Sequence, residues 1–441
     1  MRLRRHGSVL VCAIALFWMS AGGAAEAQLT AALGQPTLPA GKKQLAYMKV
    51  GMTGFNVEEA GRRAPVNVAL VLDRSGSMEG EKLQGAKQAA IEALDLLDSN
   101  DILSVIAFDS TVEVVLPATK LTDKTAVRAA IERINARGET ALFAGVTKGA
   151  EELRKFYDRG RVNRVILLTD GQANVGPSSA ADLGNLGASL KKEGISVTTL
   201  GLGLDYNEDL LRQLAKMSDG NHSFLKTGAD ISRVFHSELG YVLKVVAQEI
   251  SIRIQCAEGI RPVRVLGREA EISGQNILVQ INQLYSKHEQ FFVLELEIPA
   301  TPDGQKREIA SVSATYSNMA THSVEKLQAT VSANFSVSKE AVDNAEDKKV
   351  MASCIAMVSV GNNIMATALH DQGKVEEAKK VLLDNEEFIR GNNSRLDSED
   401  LRKLEDVNKQ NRKDMSDPEH WSAGRKNMRH AQSVGESQVD E

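Results

Sequence analysis

The sequence has only three cysteines in 441 residues, and this scarcity excludes one class of secreted protein. Cys12 lies in an apolar run close to the amino terminus, so only Cys256 and Cys354 remain beyond that run. Disulfide-stabilised secreted scaffolds carry several cysteines at regular spacings. The two remaining cysteines could form one disulfide or stay as buried free thiols, but they cannot form a disulfide framework.

Long apolar runs are also missing, apart from a short one at residues 9–19. Three arginines precede it, and small residues ending in Ala25-Glu26-Ala27 follow it. A basic start, an apolar segment of ~7–15 residues and a small-x-small cleavage site are typical of a secretory signal peptide, here residues 1–27. The run is well short of the ~20 residues that span a bilayer. We therefore expect export to a periplasm or to the cell exterior, without membrane insertion after cleavage.

Clusters of basic residues are absent as well. The formal net charge of −5 becomes −7 when the signal peptide, with its three arginines and one glutamate, is removed. A mildly acidic protein without a basic patch is a poor candidate for binding nucleic acid or an anionic membrane.

The most informative stretch is a continuous apolar run at residues 68–72 that is followed by polar side chains. Asp73, Ser75 and Ser77 follow it directly, and residues 83–97 then carry apolar side chains at helical spacing. Such a run predicts a strand covered on both faces, as in the centre of a parallel sheet. In open α/β sheets, ligands bind just beyond the carboxyl ends of the strands. The three polar side chains are therefore candidate ligand-binding groups.

On its own, an Asp-x-Ser-x-Ser sequence is weak evidence, because Asp and Ser also cap helices and form turns. Two later segments strengthen the interpretation. A second apolar run, residues 165–168, ends in Thr-Asp-Gly, which places Asp170 beyond another strand. The loop before the helix at about 143–157 adds the hydroxyl of Thr140. Two carboxylates and three hydroxyls are therefore expected to converge at one edge of one sheet.

This donor set suits a small, hard divalent cation. Mg²⁺ takes six oxygen ligands in octahedral array and keeps several waters, which makes it the best match, while Mn²⁺ and Ca²⁺ are alternatives. The hydroxyls can ligate directly, and the carboxylates can balance the charge directly or through water. A cation with mostly neutral ligands would still attract an anionic ligand from a partner.

These five residues resemble the metal-ion-dependent adhesion site of von Willebrand factor type A domains. The matching positions are Asp73, Ser75, Ser77, Thr140 and Asp170. The resemblance covers the predicted domain at residues 63–245. It implies a doubly wound α/β fold with a mainly parallel sheet, no catalysis, and capture of a protein partner's carboxylate through the metal.

The period of the apolar residues changes to two over residues 246–338, which predicts an antiparallel β-sandwich. A strand at 45–52 precedes the α/β domain and has no partner of its own there, so we expect it to join the sandwich and residues 28–41 to form an exposed leader. This domain order resembles inter-alpha-trypsin inhibitor heavy chains. Their Asp-Pro-His attachment sequence is missing, since residues 417–420 read Asp-Pro-Glu-His, so covalent attachment to carbohydrate is not expected.

The carboxyl-terminal part of the chain has helical periodicity. Residues 339–412 predict a helical hairpin, with a break at Gly373, that docks on the sandwich, and a further helix at about 398–412. Residues 413–441 are polar and predict a loose tail.

Three classes of function remain open at this stage. The favoured one is an exported, non-enzymatic adhesion or binding protein that uses the metal site to engage an acidic group of a protein partner. A metal-dependent hydrolase could use Asp73 and Asp170 as an acid/base pair, but no histidine lies near either in sequence. A structural envelope protein with a vestigial metal site is the third possibility.

Overall fold

The structure is a computed structural model that describes residues 25–61 and 63–438. Most of the predicted signal peptide therefore lies outside the described residues. Its last residue, Ala27, is buried, and its backbone N–H donates a hydrogen bond of 3.0 Å to the Tyr316 hydroxyl. The chain is thus already part of the fold when it reaches Gln28.

The amino-terminal segment forms three strands instead of an exposed leader followed by one strand. They are β1 (Gln28–Leu33), β2 (Thr37–Pro39) and β3 (Gln44–Thr53). β1 pairs antiparallel with β3, and β2 pairs in parallel with a strand late in the sequence. The prediction of an exposed leader is wrong because Leu33 and Leu38 bury their side chains in the sandwich core.

The α/β domain alternates strands and helices as its apolar runs predict. In chain order the elements are β4 (Val66–Asp73), α1 (Glu81–Leu96), β5 (Ile102–Phe108), β6 (Val112–Lys120), α2 (Lys124–Glu132), α3 (Leu142–Arg154), β7 (Val162–Thr169), α4 (Ala180–Lys192), β8 (Ile195–Leu202), α5 (Glu208–Met217), β9 (His222–Leu225) and α6 (Asp230–Val242).

These strands form one sheet in the order β6-β5-β4-β7-β8-β9, parallel except for β6 at the edge. Helices α1, α2 and α6 pack on one face, and α3, α4 and α5 pack on the other. Every residue of β4 and β7 is buried, because both faces of these central strands are covered. The predicted doubly wound fold is confirmed.

The second domain is a β-sandwich completed by seven more strands. They are β10 (Val245–Cys256), β11 (Arg261–Leu266), β12 (Ala270–Ser273), β13 (Asn276–Tyr285), β14 (Glu289–Ile298), β15 (Lys306–Asn318) and β16 (Val324–Ser336). One sheet has the order β1-β3-β14-β11 and the other β12-β13-β10-β15-β16-β2. β3 pairs antiparallel with β14 along its whole length, from Gln44 opposite Ile298 to Thr53 opposite Glu289. The expected pairing of the 45–52 strand with the sandwich is present, and the α/β domain is inserted between β3 and β10.

Five helices follow the sandwich: α7 (Lys339–Asp343), α8 (Lys348–Asp371), α9 (Val375–Leu396), α10 (Glu399–Asp414) and α11 (Pro418–Ser437). α8 and α9 form the predicted hairpin, and α8 packs on the outer face of the sheet that contains β3. The predicted loose tail is wrong, because most of it is α11, which docks on α5 and β9. Cys256 and Cys354 are both buried and free, so they form no disulfide.

Among the described helices, α8 has the length and mean hydropathy of a membrane-spanning segment. Its apolar residues Cys354 and Ile355 are buried against the sandwich, and its Asn363 amide donates a buried hydrogen bond of 2.9 Å to Asn408 of α10. The apolar side chains of α8 are therefore used to join the helical region to the sandwich.

Candidate metal centre

The centre is built first from the carboxyl end of β4. The Asp73 carboxylate is fully buried and accepts a hydrogen bond of 2.7 Å from the Ser75 backbone N–H. Its second oxygen accepts a hydrogen bond from the Thr169 hydroxyl at the end of the neighbouring strand β7. Two adjacent parallel strands thus fix this carboxylate, as expected where the carboxyl ends of such strands meet.

The two serines and Asp170 form a continuous chain of oxygen atoms. The Ser75 and Ser77 hydroxyl oxygens lie 3.1 Å apart, and the Ser77 hydroxyl donates a 2.7 Å hydrogen bond to Asp170 Oδ1. Ser75 and Asp170 are buried, whereas Ser77 is exposed. The centre is therefore open to solvent on the side of Ser77.

Thr140 reaches the same place from the loop before α3. Its backbone N–H donates a 2.8 Å hydrogen bond to Asn174 Oδ1. Its hydroxyl faces Gly171, where an added Cβ would lie 2.7 Å from Thr140 Oγ1 and 3.5 Å from Asp73 Oδ2. The absence of a side chain at Gly171 therefore leaves room for the Thr140 hydroxyl beside the Asp73 carboxylate. All five predicted residues thus lie at the same edge of the sheet.

The electrostatics of the centre are those of two carboxylates held close together. The pKa of Asp73 is raised to about 6. Burial is the main cause and the Asp170 carboxylate adds to it, while hydrogen bonds from Thr169 and Ser75 partly offset the rise. Lys82, in the first turn of α1, pairs its ammonium group with Asp170 Oδ2.

Sequence reasoning did not identify Lys82, Thr169 or Asn174 as part of this centre. Thr169 precedes Asp170 directly, and its hydroxyl was the one signal that could have been used. Lys82 and Asn174 carry no such signal, because a single lysine or asparagine after a motif has many possible roles.

The donor set fits a hard cation. It consists of three hydroxyl oxygens and two carboxylates, all of which are oxygen ligands. Among the described residues there is no group of three or more His, Cys, Asp or Glu side chains that could hold a metal. The centre thus offers a mainly neutral set of ligands, which suits Mg²⁺ with retained water better than a nitrogen- or sulfur-bound transition metal.

The comparisons with known proteins agree with this geometry. Residues 67–235 match the family model of the von Willebrand factor type A domain. An uncharacterized protein of a Synechocystis species is 31% identical over 256 residues, which are 55% of this chain and 60% of that protein. Human inter-alpha-trypsin inhibitor heavy chain H3 is 31% identical over 171 residues, which are 37% of this chain and 19% of that protein.

A solved structure, described as von Willebrand factor type A from Catenulispora acidiphila, has the same fold. It aligns with a TM-score of 0.65 and 16% identity, covering 84% of this chain and 89% of that one. Residues 67–235 of this chain form a von Willebrand factor type A domain. Such domains commonly bind protein partners, which supports a protein-interaction or adhesion role in general.

Proposed function

We propose that this protein is an exported, non-enzymatic binding protein that captures an acidic group of a protein partner through a divalent cation. Asp73, Ser75, Ser77, Thr140 and Asp170 would hold the cation, with Mg²⁺ the best match to their oxygens. The bound cation would supply electrostatic attraction for a carboxylate oxygen of the partner. The partner is expected to be neither nucleic acid nor a membrane.

The observation that carries the proposal is the convergence of the five oxygen donors around a solvent-open point. Ser77 is exposed while its hydroxyl bonds to the buried Asp170 carboxylate. A partner group could therefore reach the centre from solvent without a change in the sheet. The mainly neutral donor set leaves the cation attractive to an anion.

The environment of the carboxylates favours binding over hydrolysis. Their hydrogen-bond and ion-pair partners are hydroxyls, a backbone N–H and the Lys82 ammonium, with no histidine among them in the part of the chain that the structure describes. A hydrolase would need a positioned general base or nucleophile beside the bound substrate. We therefore place Asp73 and Asp170 in binding and assign no catalytic residue.

The test is a calorimetric titration of MgCl₂ into the purified protein and into Asp73→Asn and Asp205→Asn variants. Asp205 is an exposed carboxylate in the loop after β8, at the same edge of the sheet, and serves as the matched control. Asp73→Asn should abolish saturable Mg²⁺ binding, and Asp205→Asn should leave it intact. Partner capture from the native host should then disappear with EDTA and return with Mg²⁺. Equal Mg²⁺ binding by both variants would refute the proposed site.

A further inference from the structure

A small cleft beside the metal centre is lined by three arginines. Arg74 comes directly after the metal-site residue Asp73, Arg133 ends α2, and Arg137 lies in the following loop. The cleft has a volume of about 170 Å³ and is closed on one side by Glu113 of β6. None of the five oxygen donors lines the cleft, but Arg74 and Arg137 are close in sequence to two of them, Asp73 and Thr140.

The carboxylates at this cleft do not balance its arginines. Arg74 Nε donates a 2.7 Å hydrogen bond to Asp109 Oδ2, and Arg74 Nη1 donates one of 2.6 Å to Glu113. Arg137 Nε shares the same Asp109 oxygen at 2.9 Å. The two carboxylates pair with Arg74 and Arg137 only, so the third arginine leaves one positive charge in excess.

The unused hydrogen-bond donors point to an anionic ligand. Arg74 is almost fully buried, and its Nη2 has no hydrogen-bond acceptor among the described residues. Arg133 is exposed and makes no ion pair within the described part of the chain. A buried donor without an acceptor is unfavourable, and the planar guanidinium group matches the geometry of a carboxylate. A carboxylate in the cleft could pair with Arg133 and would relieve the charge excess.

The cleft and the metal centre are joined by hydrogen bonds between their loops. The Arg137 N–H donates to the Arg74 carbonyl at 2.8 Å, and the Gly76 N–H donates to the Gly138 carbonyl at 3.0 Å. Arg137 lies three residues before Thr140, so their Cα atoms are at most about 10 Å apart. Because the two loops are fixed to each other, a short extended peptide could reach both places at once.

We infer that the partner segment carries two acidic side chains within about four residues, one for the metal centre and one for the arginine cleft. This inference rests on the proposed function, because the first acidic group is the one that the cation captures. The cleft adds specificity: a partner with a single acidic residue would bind, but one with a correctly spaced pair would bind more tightly.

The experiment compares two acetylated, amidated glycine-rich pentapeptides by NMR titration. One contains a single Asp, and the other contains Asp and Glu separated by one residue. Each is titrated in Mg²⁺ and in EDTA into the unmodified full chain and into Arg133→Ala and Arg128→Ala. Arg128 lies on the same helix and pairs with Asp95 outside the cleft, so it is the matched control. Arg133 has no ion-pair partner in the described chain, and its replacement should leave the fold intact.

In Mg²⁺ we expect the two-acid peptide to bind about fivefold more tightly than the one-acid peptide, which is the upper end of the range for an exposed ion pair. Arg133→Ala should remove this advantage, and Arg128→Ala should keep it. Equal binding of both peptides, or an advantage that survives Arg133→Ala, would overturn the inference. The proposed function would still stand in that case if the one-acid peptide binds in Mg²⁺ and not in EDTA. If neither peptide binds in Mg²⁺, both ideas fail. If the two-acid peptide binds as tightly in EDTA as in Mg²⁺, the role of the cation is refuted and the inference, which rests on it, fails as well.

Discussion

Lys82 brings a protein cation to the position where the divalent ion is expected to act. Its side chain is one third exposed, whereas the Asp170 carboxylate that it contacts is fully buried. Without a divalent ion, the ammonium group neutralises this carboxylate. When the divalent ion binds, the ammonium group would be a second positive charge beside it. The ammonium group must therefore give up part of its contact with Asp170 before the cation can bind.

We therefore expect Lys82→Met to tighten Mg²⁺ binding and to weaken the metal-free protein. Losing a partly exposed competing ion pair should lower the dissociation constant by about fivefold, equivalent to ~1 kcal/mol. In EDTA the variant should melt at a lower temperature, because buried Asp170 has lost its counter-charge. Calorimetric titration and thermal melts measure the two effects. The matched control is Lys148→Met, a similarly exposed lysine paired with Glu151. Weaker Mg²⁺ binding by Lys82→Met would contradict this account.

Gly171 is the residue whose size decides whether Thr140 reaches the centre. Because a Cβ at this position would lie 2.7 Å from Thr140 Oγ1, Gly171→Ala should push the hydroxyl away from Asp73. We expect Mg²⁺ affinity to fall by about tenfold or more, as if one ligand were lost, while the sheet stays folded. Gly240→Ala, where an added Cβ meets nothing within 4 Å, should bind Mg²⁺ normally. Unchanged affinity in Gly171→Ala would mean that Thr140 is not a ligand.

The residues of the centre differ in how well the sequence predicts them. Asp73, Ser75 and Ser77 lie in one short motif. Asp170 follows from a strand end that must meet β4 at one edge of the sheet, and Thr140 follows from the loop before a predicted helix. Asn174 and Lys82 could not be found in this way. Lys82 touches Asp170 across 88 residues of sequence, and only the pairing of β4 with β7 brings the start of α1 to Asp170.

At the scale of elements, apolar periodicity predicted the strands and helices whose stability comes from burial. It failed for α11, which is mostly polar and pairs its charges with the α/β domain instead. Lys426 donates hydrogen bonds to the Tyr206 carbonyl and to Glu208, both more than 200 residues away in sequence. Composition alone makes such a helix look like a loose tail, because its partners are visible only in three dimensions.

The docking of α11 predicts an unusual sensitivity at Lys426. Its side chain is 3% exposed, and its Glu208 partner is 10% exposed. Lys426→Ala would leave Glu208 buried with Arg425 as its remaining counter-charge, so we expect a loss of about 3 kcal/mol, at the lower end for breaking a buried ion pair. Urea unfolding measures the change. Lys403→Ala removes an exposed pair with Glu399 and should leave the free energy of unfolding nearly unchanged. Equal small losses in both variants would show that α11 is not docked in solution.

The start of β1 makes a prediction about maturation. Ala27 is buried and donates its N–H to Tyr316, and the Ala25 carbonyl accepts a 2.7 Å hydrogen bond from Asn318. Cleavage before Gln28 would remove both bonds, each worth about 1 kcal/mol. Residues 21–25 are all Ala or Gly and offer earlier small-residue sites. We expect amino-terminal sequencing of the protein purified from its native host to give a first residue at or before Ala25, which keeps both bonds. A first residue of Gln28 would contradict this.

At the scale of the whole molecule, the amino ends of the parallel strands contact the sandwich, and the carboxyl ends carry the metal centre. Arg164, near the start of β7, is fully buried and donates a 3.0 Å hydrogen bond to the Tyr285 hydroxyl of β13. The metal centre lies at the opposite, carboxyl ends of the strands. The sandwich therefore holds the α/β domain at the amino ends of its strands, and Ser77 of the metal centre stays exposed at the opposite ends. The unpaired 45–52 strand predicted the insertion, but this docking depends on isolated polar residues that no sequence period reveals.

The last prediction is that binding depends on the metal while folding does not. The sheet is stabilised by its buried apolar side chains, which contribute roughly 1.5–3 kcal/mol each, and the cation would sit at its rim. Removing the metal should cost only the linkage free energy, about 2.7 kcal/mol when the ion was at a hundred times its dissociation constant. Unlike a zinc finger, the protein should keep a cooperative melt in EDTA.

Asp73→Ala separates the two halves of this prediction. It should abolish capture of an acidic partner in Mg²⁺, because it removes one of the two charges that hold the cation. In EDTA it should still melt cooperatively, and slightly higher than the unmodified protein. Burial and, to a smaller extent, the Asp170 carboxylate raise the pKa of Asp73, and the variant no longer buries this charge beside Asp170. Scanning calorimetry with and without EDTA, alongside pull-downs, measures both. A metal-free protein without a cooperative transition, or chelator-resistant capture by the variant, would refute the claim.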